Sequence, residues 1–167
     1  MRILVIGSGA REHAIIHTLL KDKGVSALFA APGNAGISRI VRTFPLDIRD
    51  ATQTLELAQD LNVDLVVIGP EIPLAEGVAD VLRNHGILVF GPNKDAAQIE
   101  SSKSFAKDVM KSAGVPTAKW FDCETIEDVE EALATFSSPY VVKDDSLAQG
   151  KGVVVTESVD EARAHAL

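Results

Sequence analysis

The chain has 167 residues, enough for one domain of ordinary size or for two small ones. Hydrophobic residues make up 46% of it and charged residues 24%, which are the proportions of folded globular domains and exclude intrinsic disorder and a coiled coil. Its 16 lysines and arginines against 24 acidic residues give a net charge of −8 with no basic run. That balance excludes general nucleic-acid and membrane-surface binding and favours small-molecule partners.

The cysteine content and the apolar runs predict a cytoplasmic protein. Cys123 is the one cysteine, so an intramolecular disulfide framework is impossible. Proteins without disulfides are typical of a reducing compartment such as the cytosol. The first apolar run, residues 3–6, is too short for the core of a signal peptide. No segment approaches the roughly 18 apolar residues that a membrane span needs.

The first hundred residues alternate short apolar runs with helical periodicity, the pattern of an open parallel sheet with helices on both faces. The predicted elements are strands at 3–6, 27–31, 65–68 and 87–90 and helices at 12–20, 52–61 and 74–84. Each strand ends in glycine or proline, and in such sheets ligands bind outside the carboxyl ends of the strands. These loops therefore form one candidate site.

From about residue 100 the alternation changes, which predicts a second region at 101–167. Its predicted elements are helices at 101–112, 126–136 and from 158 onward, and strands at 119–121, 140–142 and 153–155. Three short strands bury little surface by themselves, so we expect that the chain is truncated or that something else completes this region.

The first loop, Gly7-Ser8-Gly9, follows a strand and opens a helix, where backbone N–H groups can approach a phosphate. Glu12 occupies the place of the third glycine of the dinucleotide fingerprint, which argues against a nicotinamide cofactor. Arg11 can clamp a single phosphate while Glu12 binds a hydroxyl or an amine. The alternative is a tight turn followed by a surface Arg-Glu pair.

Two further strand-end loops carry polar groups. Residues 32–36 contain two glycines around Asn34, and Glu71 stands between two prolines directly after a predicted strand. For Glu71 the alternative is a helix entry with an acidic first turn. His13 and His17 have the i, i+4 spacing of metal ligands, but no third ligand is near and we expect packing roles.

Lysines and a glycine loop mark the second region. Lys103 lies near the start of a predicted helix, Lys143 ends a predicted strand, and residues 149–153 form a short glycine loop around Lys151. Such a loop can fold over nucleotide phosphates, although it lacks the Walker A spacing. A plain hairpin is an equally good interpretation of this pattern.

Together these stretches resemble the glycinamide ribonucleotide synthetases, ATP-grasp ligases of purine biosynthesis. The resemblance runs through the whole chain in order, at residues 4–14, 31–36, 67–74, 90–92, 102–105, 114–117 and 150–153. The Arg-Glu-His-Ala and Pro-Gly-Asn-Ala-Gly motifs are specific to this family, whereas the lysines and the glycine loop are shared more widely among ATP-grasp enzymes.

The resemblance implies a pre-ATP-grasp, Rossmann-like α/β domain at 1–100, followed by the beginning of an ATP-grasp α+β domain at 101–167. It implies ATP-dependent ligation of glycine to 5-phosphoribosylamine through glycyl phosphate, with Mg²⁺ or Mn²⁺ ligands beyond residue 167. The chain alone is then expected to be inactive. The alternative is a non-catalytic phosphosugar-binding module.

The resemblance also assigns binding residues, though no catalytic residue and no metal ligand within this chain. To the phosphoribosylamine site it assigns Gly9, Ala10, Arg11, Glu12, Gly33, Asn34, Gly36, Gly69, Pro70, Glu71 and Pro73. To the ATP phosphates it assigns Lys103, Lys143, Gly150, Lys151 and Gly152. Residues 143–146 read Lys-Asp-Asp-Ser where the family usually has Lys-Ala-Asp-Gly, and the extra acidic residue and the lost glycine both bear on ATP affinity.

Overall fold

A computed structural model describes residues 1–145 and 152–167. The chain divides into two compact units, Met1–Gln98 and Ile99–Leu167. None of the helices formed by the described residues is long and apolar enough to cross a membrane.

The first unit is built on a five-stranded, fully parallel sheet of order β3-β2-β1-β4-β5. Its strands are β1 (Arg2–Gly7), β2 (Ala27–Pro32), β3 (Arg42–Thr43), β4 (Leu65–Ile68) and β5 (Leu88–Phe90). The helices between them are α1 (Ala10–Leu19), α2 (Ala51–Asp60), α3 (Glu71–Ala75) and α4 (Val78–Asn84), and α5 (Lys94–Ser101) follows the last strand. The predicted α/β architecture is confirmed.

Both faces of the sheet are covered, which is why the central strands read as continuous apolar runs. On β1, Leu4 and Ile6 pack into one core with Leu82 of α4, while Val5 packs into the opposite core with Ile16 of α1. All five side chains are fully buried. The two cores fix the sheet, and the loops at the carboxyl ends of its strands are fixed with it.

The second unit contains three helices and one hairpin among the described residues. The helices are α6 (Lys103–Ser112), α7 (Ile126–Thr135) and α8 (Val159–Ala166), and the hairpin pairs β6 (Tyr140–Lys143) with β7 (Val153–Thr156). Its buried core is small: among the described residues, Val129 and Ala162 are the buried hydrophobic ones. The strand predictions at 140–142 and 153–155 are confirmed, each one residue longer.

Two predicted elements differ from the structure. The single helix expected at 74–84 is wrong: Gly77 adopts φ +87° and separates α3 from α4. Leu74, Val78 and Leu82 all pack into one core, so apolar residues recur every four positions on both sides of Gly77. This regular spacing predicts one helix although the backbone is interrupted.

The strand expected at 119–121 is also wrong. It has no strand partner among the described residues, and Phe121 packs edge-on against Phe136. β3 and α5 were not expected from the sequence.

Candidate functional site

Three predicted loops of the first unit meet at the carboxyl ends of neighbouring strands. Pairing of Gly7 with Pro32, and of Ile6 with Ile68, places the ends of β1, β2 and β4 side by side. The backbone N–H of Gly33 donates to the carbonyl of Gly7 at 3.1 Å, and that of Gly69 donates to the carbonyl of Ile6 at 3.1 Å. The three loops therefore lie next to one another, as expected from the sequence.

Glu12 lies beneath these loops and is only 3% exposed. Its Oε2 accepts a hydrogen bond from the N–H of Gly9 at 2.6 Å. The loops close tightly around the carboxylate: a Cβ atom at Gly7 would lie 2.6 Å from Glu12 Cγ, and one at Gly69 would lie 2.2 Å from Oε1. A side chain on either glycine would overlap Glu12, so this packing requires glycine at the last position of β1 and at the first position after β4.

Arg11 connects the buried carboxylate to an exposed one. Its Nε donates to Glu12 Oε1 at 3.2 Å and its Nη1 to Glu71 Oε1 at 3.1 Å, across 60 residues of sequence. The hydrogen bond from Arg11 lowers the pKa of the Glu71 carboxyl below its ordinary value, and Glu71 in turn raises the pKa of Arg11. Nη2 of Arg11 makes no hydrogen bond within the described residues, and the side chain is 57% exposed.

The burial of Glu12 refines the role expected for it. With 3% of its surface exposed and both oxygens accepting from protein N–H groups, Glu12 holds the loops and the arginine together from below. The carboxylate that faces solvent is Glu71, whose side chain is 38% exposed. Glu71 is also the first residue of α3. It therefore combines the two roles weighed from the sequence: it lies in the acidic first turn of a helix, and it contacts an arginine of the candidate site.

Asn34 joins the second loop to the first. Its amide Nδ2 donates to the carbonyl of Ser8 at 2.7 Å, and its Oδ1 accepts from the N–H groups of Gly36 and Ile37 at 2.8 and 2.9 Å. Gly36 lies so close to the imidazole of His13 that a Cβ there would be 2.7 Å from Cε1. Asn34 thus fixes the shape of the loop, and His13 packs against it.

The other expected residues of this site have simpler surroundings. Ala10 is exposed at the start of α1, and Gly33 takes a left-handed φ of +71° directly after β2. Pro70 precedes α3 as its N-cap, whereas Pro73 is fully buried and packs rather than facing solvent. Among the described residues, no group of three or more His, Cys, Asp and Glu side chains is placed to hold a metal ion.

In the second unit, Lys103 reaches the backbone that follows β6. Its Nζ donates to the carbonyl of Asp144 at 2.7 Å. Lys143 pairs with Val153 at the end of the hairpin, and the N–H of Asp144 donates to the carbonyl of Gly152 at 2.8 Å, which closes the neck of the connecting loop. The predicted residues Gly150 and Lys151, and the departure at Ser146, lie outside the described residues.

One face of the hairpin is apolar and open. Val141 pairs with Val155, and these side chains are 53% and 67% exposed. Lys143 and Val153 lie on the same face because strand side chains alternate and paired residues point the same way. The surface therefore consists of three valines with an ammonium group at one end.

Sequence reasoning missed Asp145, which accepts hydrogen bonds from residues at the start of α6. The available signal was weak: Asp145 is the acidic residue that this chain shares with the usual Lys-Ala-Asp-Gly motif. Contact between residues more than 40 positions apart cannot be read from that motif.

Comparisons with known protein families and sequences agree along the whole chain. The model for the phosphoribosylglycinamide synthetase N domain matches residues 1–100, and the model for the ATP-grasp (A) domain of the same synthetase matches residues 101–167. The phosphoribosylamine–glycine ligases of Streptomyces coelicolor and Mycobacterium tuberculosis are each 55% identical, over 166 and 170 residues. Both alignments cover 99% of this chain, which spans about 40% of the length of these relatives.

Solved structures show the same similarity. The phosphoribosylamine–glycine ligase of Thermotoga maritima has a TM-score of 0.78 and 36% identity, covering 98% of this chain and 38% of that protein. An N5-carboxyaminoimidazole ribonucleotide synthetase from Thermus thermophilus has a TM-score of 0.72 at 21% identity, over 96% of this chain and 42% of that one. The second likeness shows a shared fold. Residues 101–167 are similar to an ATP-grasp domain, as the sequence led us to expect.

Proposed function

Because the chain belongs to the phosphoribosylglycinamide synthetase family, we propose that it is the N-terminal part of an enzyme that ligates glycine to 5-phosphoribosylamine with ATP. ATP would phosphorylate the glycine carboxylate to give glycyl phosphate and ADP. The amine of phosphoribosylamine would then attack the acyl carbon and expel phosphate, giving glycinamide ribonucleotide, an intermediate of purine biosynthesis. Such chemistry depends mainly on positioning and on neutralising charge at the transferred phosphoryl group.

The observation that carries the proposal for the first unit is the linked group Glu12–Arg11–Glu71 at the strand ends. It supports a site for a small molecule that has both an anionic group and a hydroxyl or amine. The open Nη2 of Arg11 suits a phosphate oxygen, and the exposed oxygens of Glu71 suit a hydroxyl or an amine. Phosphoribosylamine carries all of these groups.

The remaining assigned residues of the first unit would shape this site. In the proposal, glycines let the loop backbones approach the ligand, Asn34 holds the second loop against the first, and the prolines set the entry to α3. The residues concerned are Gly9, Ala10, Gly33, Asn34, Gly36, Gly69, Pro70 and Pro73.

In the second unit we assign Lys103, Lys143 and Gly152 to the ATP phosphates, together with Gly150 and Lys151. The contact of Lys103 with the backbone after β6 supports this grouping, because it brings one lysine of α6 to the end of the strand that carries the other. The exposed valines beside Lys143 suit a flat apolar ring such as the base of ATP.

The described residues do not themselves form a divalent-cation site. We expect the Mg²⁺ or Mn²⁺ ligands, and the glycine site, in the portion of the family's length that this chain does not cover. We take residues 1–100 as the substrate-binding domain and 101–167 as an incomplete ATP-grasp region. The lone Cys123 supports a cytoplasmic location.

Calorimetric titration of the chain with ribose 5-phosphate tests the first site. Arg11→Ala should weaken binding about tenfold, because a charge-assisted hydrogen bond is lost. Lys23→Ala is the matched control: it removes one positive charge from the turn before β2, at the opposite end of the sheet, and should leave affinity unchanged. Equal affinity of wild type and Arg11→Ala would remove Arg11 from the site.

Release of ADP in the presence of glycine and phosphoribosylamine tests the whole reaction. The full-length protein should release ADP only when both substrates are present, and the 167-residue chain should release none. Full-length protein that binds ribose 5-phosphate but neither binds nor hydrolyses ATP would contradict the ligase and favour a phosphosugar-binding module.

A further inference from the structure

Asp145 is bound by four donors at the start of α6, 41 to 43 residues away in sequence. Its carboxylate accepts from the backbone N–H groups of Lys103 and Ser104, the latter at 3.1 Å. It also accepts from the hydroxyl groups of Ser102, at 3.1 Å, and Ser104, at 2.5 Å. Every one of these groups donates a hydrogen bond to the carboxylate. An ionised carboxylate has acceptors and no donor, so it matches these four donors.

These contacts favour the ionised carboxylate. Desolvation raises the pKa of Asp145, but the hydrogen bonds from Ser104, Lys103 and Ser102 outweigh it and hold that pKa below its ordinary value. The positive end of the dipole of α6, a helix of ten residues, acts in the same direction.

The helix does not need Asp145 for its cap. Ser102 already accepts from the N–H of Phe105 at 3.1 Å and serves as the N-cap. Asp145 takes the two preceding amides, those of Lys103 and Ser104, from outside the helix. What the contact adds is a link between α6 and the segment that leaves β6.

That link occurs where the candidate ATP residues meet. Asp145 follows Lys143 by two residues, and the intervening Asp144 accepts from Lys103 Nζ through its carbonyl and donates its N–H to Gly152. The start of the loop is therefore held from two sides, by α6 and by the backbone next to β7. Lys103 at the start of α6 and Lys143 at the end of β6 are thereby linked through one short segment, residues 144–145.

We propose that Asp145 is a positioning residue for ATP, which fastens the segment after β6 to the start of α6 and so holds Lys103 and Lys143 in one phosphate-binding arrangement. The inference rests on the proposed ATP site. It assigns Asp145 no contact with the nucleotide. Loss of the carboxylate should weaken ATP binding through misplaced lysines and leave the binding of glycine unaltered.

Steady-state kinetics of the full-length protein with Asp145→Ala tests this. The KM for ATP should rise about tenfold, as expected when hydrogen bonds to a charged group are lost, while the KM for glycine stays unchanged. Asp145→Asn keeps an oxygen that can accept from the two amides, so its KM for ATP should lie between those of wild type and Asp145→Ala.

Asp128→Ala is the matched control in the same unit. Asp128 accepts from Thr125 and Glu124 at the start of α7, so its loss removes a comparable helix-end carboxylate without touching the lysines. Its KM for ATP should equal that of wild type. An equal rise in both variants, a rise in both KM values, or no rescue by Asp145→Asn would overturn the positioning role.

Hydrogen exchange separates this inference from the proposed function. The amides of Lys103 and Ser104 should exchange about tenfold faster in Asp145→Ala than in wild type, measured without ATP. Unchanged exchange would show that the link does not exist in solution and would overturn the inference. A different result would overturn the proposed function: fast exchange in Asp145→Ala together with no ATP-dependent turnover by the wild-type protein. The role of Asp145 in ATP binding would then fall with it.

Discussion

The two units hold their candidate residues by different physical means. In the first unit, the site loops extend directly from buried strands and close around Glu12, which is 3% exposed. In the second, the described contacts of Lys103 and Asp145 lie at the surface of a unit with little buried apolar area. We infer that the first site is pre-shaped by its core, whereas the second depends on a few polar contacts and on whatever covers its open hairpin.

The difference also appears in the acidic side chains. Glu12 is enclosed by three glycines from two loops and accepts from two protein donors. Glu130 of the second unit pairs with Arg163 at the surface, with 48% of its side chain exposed. Buried pairs are screened little by water and salt, whereas exposed pairs contribute little to stability. Substitutions in the two units should therefore differ sharply in their effects.

The largest effect is expected from Gly69→Ala. The new Cβ would lie 2.2 Å from Glu12 Oε1 and 2.5 Å from Cγ, and Gly7 and Gly9 block retreat of the carboxylate on their sides. The free energy of unfolding of the first unit should fall by about 3 kcal/mol, the range for an overpacked core. Hydrogen exchange of peptides from β1 and β4 measures this.

The control for that substitution is the same change without the buried carboxylate. In a Glu12→Ala background, Gly69→Ala should cost far less, because the atoms it would overlap are gone. Additive losses in the double variant would contradict the packing of Gly69 against Glu12 and attribute the cost of the alanine to another cause.

The next effect in size is expected from Glu12→Gln. The N–H of Gly9 donates to Oε2 of Glu12 and Nε of Arg11 donates to Oε1. An amide replaces one of these two oxygens with an NH₂ group, so one donor loses its acceptor. Stability of the first unit should fall by about 2 kcal/mol, as for a buried donor left unpaired. The paired experiment in the second unit, Glu130→Gln, should give no measurable change in unfolding. Equal effects would remove the contrast between the two units.

Prediction from sequence succeeded where the topology of the sheet decides the outcome. Parallel strands share one carboxyl end, so residues 7–12, 32–36 and 69–73 had to meet there once the strands were recognised. The burial of Glu12 was beyond reach, because it depends on three glycines from two loops closing on one carboxylate. The salt bridge from Arg11 to Glu71 spans 60 residues and depends on side-chain directions that no local pattern encodes.

The second unit was harder to predict for a related reason. Its hairpin followed from two runs of valines, yet residues 119–121 have the composition of a strand and remain unpaired among the described residues. A strand forms only where a neighbour accepts its hydrogen bonds, and composition does not supply that neighbour. The link from Asp145 to α6 is likewise a tertiary contact between polar groups with no periodicity to reveal it.

The smallest expected effect concerns the titration of the exposed carboxyls, and it separates the two units again. The pKa of Glu71 is lowered first by the hydrogen bond from Arg11 and second by its own backbone N–H in the first turn of α3. The pKa of Glu130 is lowered by Arg163 alone. Because both values are depressed, these contacts stabilise the folded units above the ordinary carboxyl pKa of 4.5, and the contribution is lost as the pH falls through the lower folded value.

Carboxyl ¹³C titration by NMR should therefore give different residual shifts after each arginine is removed. In Arg163→Ala the pKa of Glu130 should return fully to its ordinary value, since no second group lowers it. In Arg11→Ala the pKa of Glu71 should rise only part of the way, because the N–H at the start of α3 remains in place. A complete return for Glu71 would mean that the loop after β4 is not held by the core once Arg11 is gone, and that the first site is no more pre-shaped than the second.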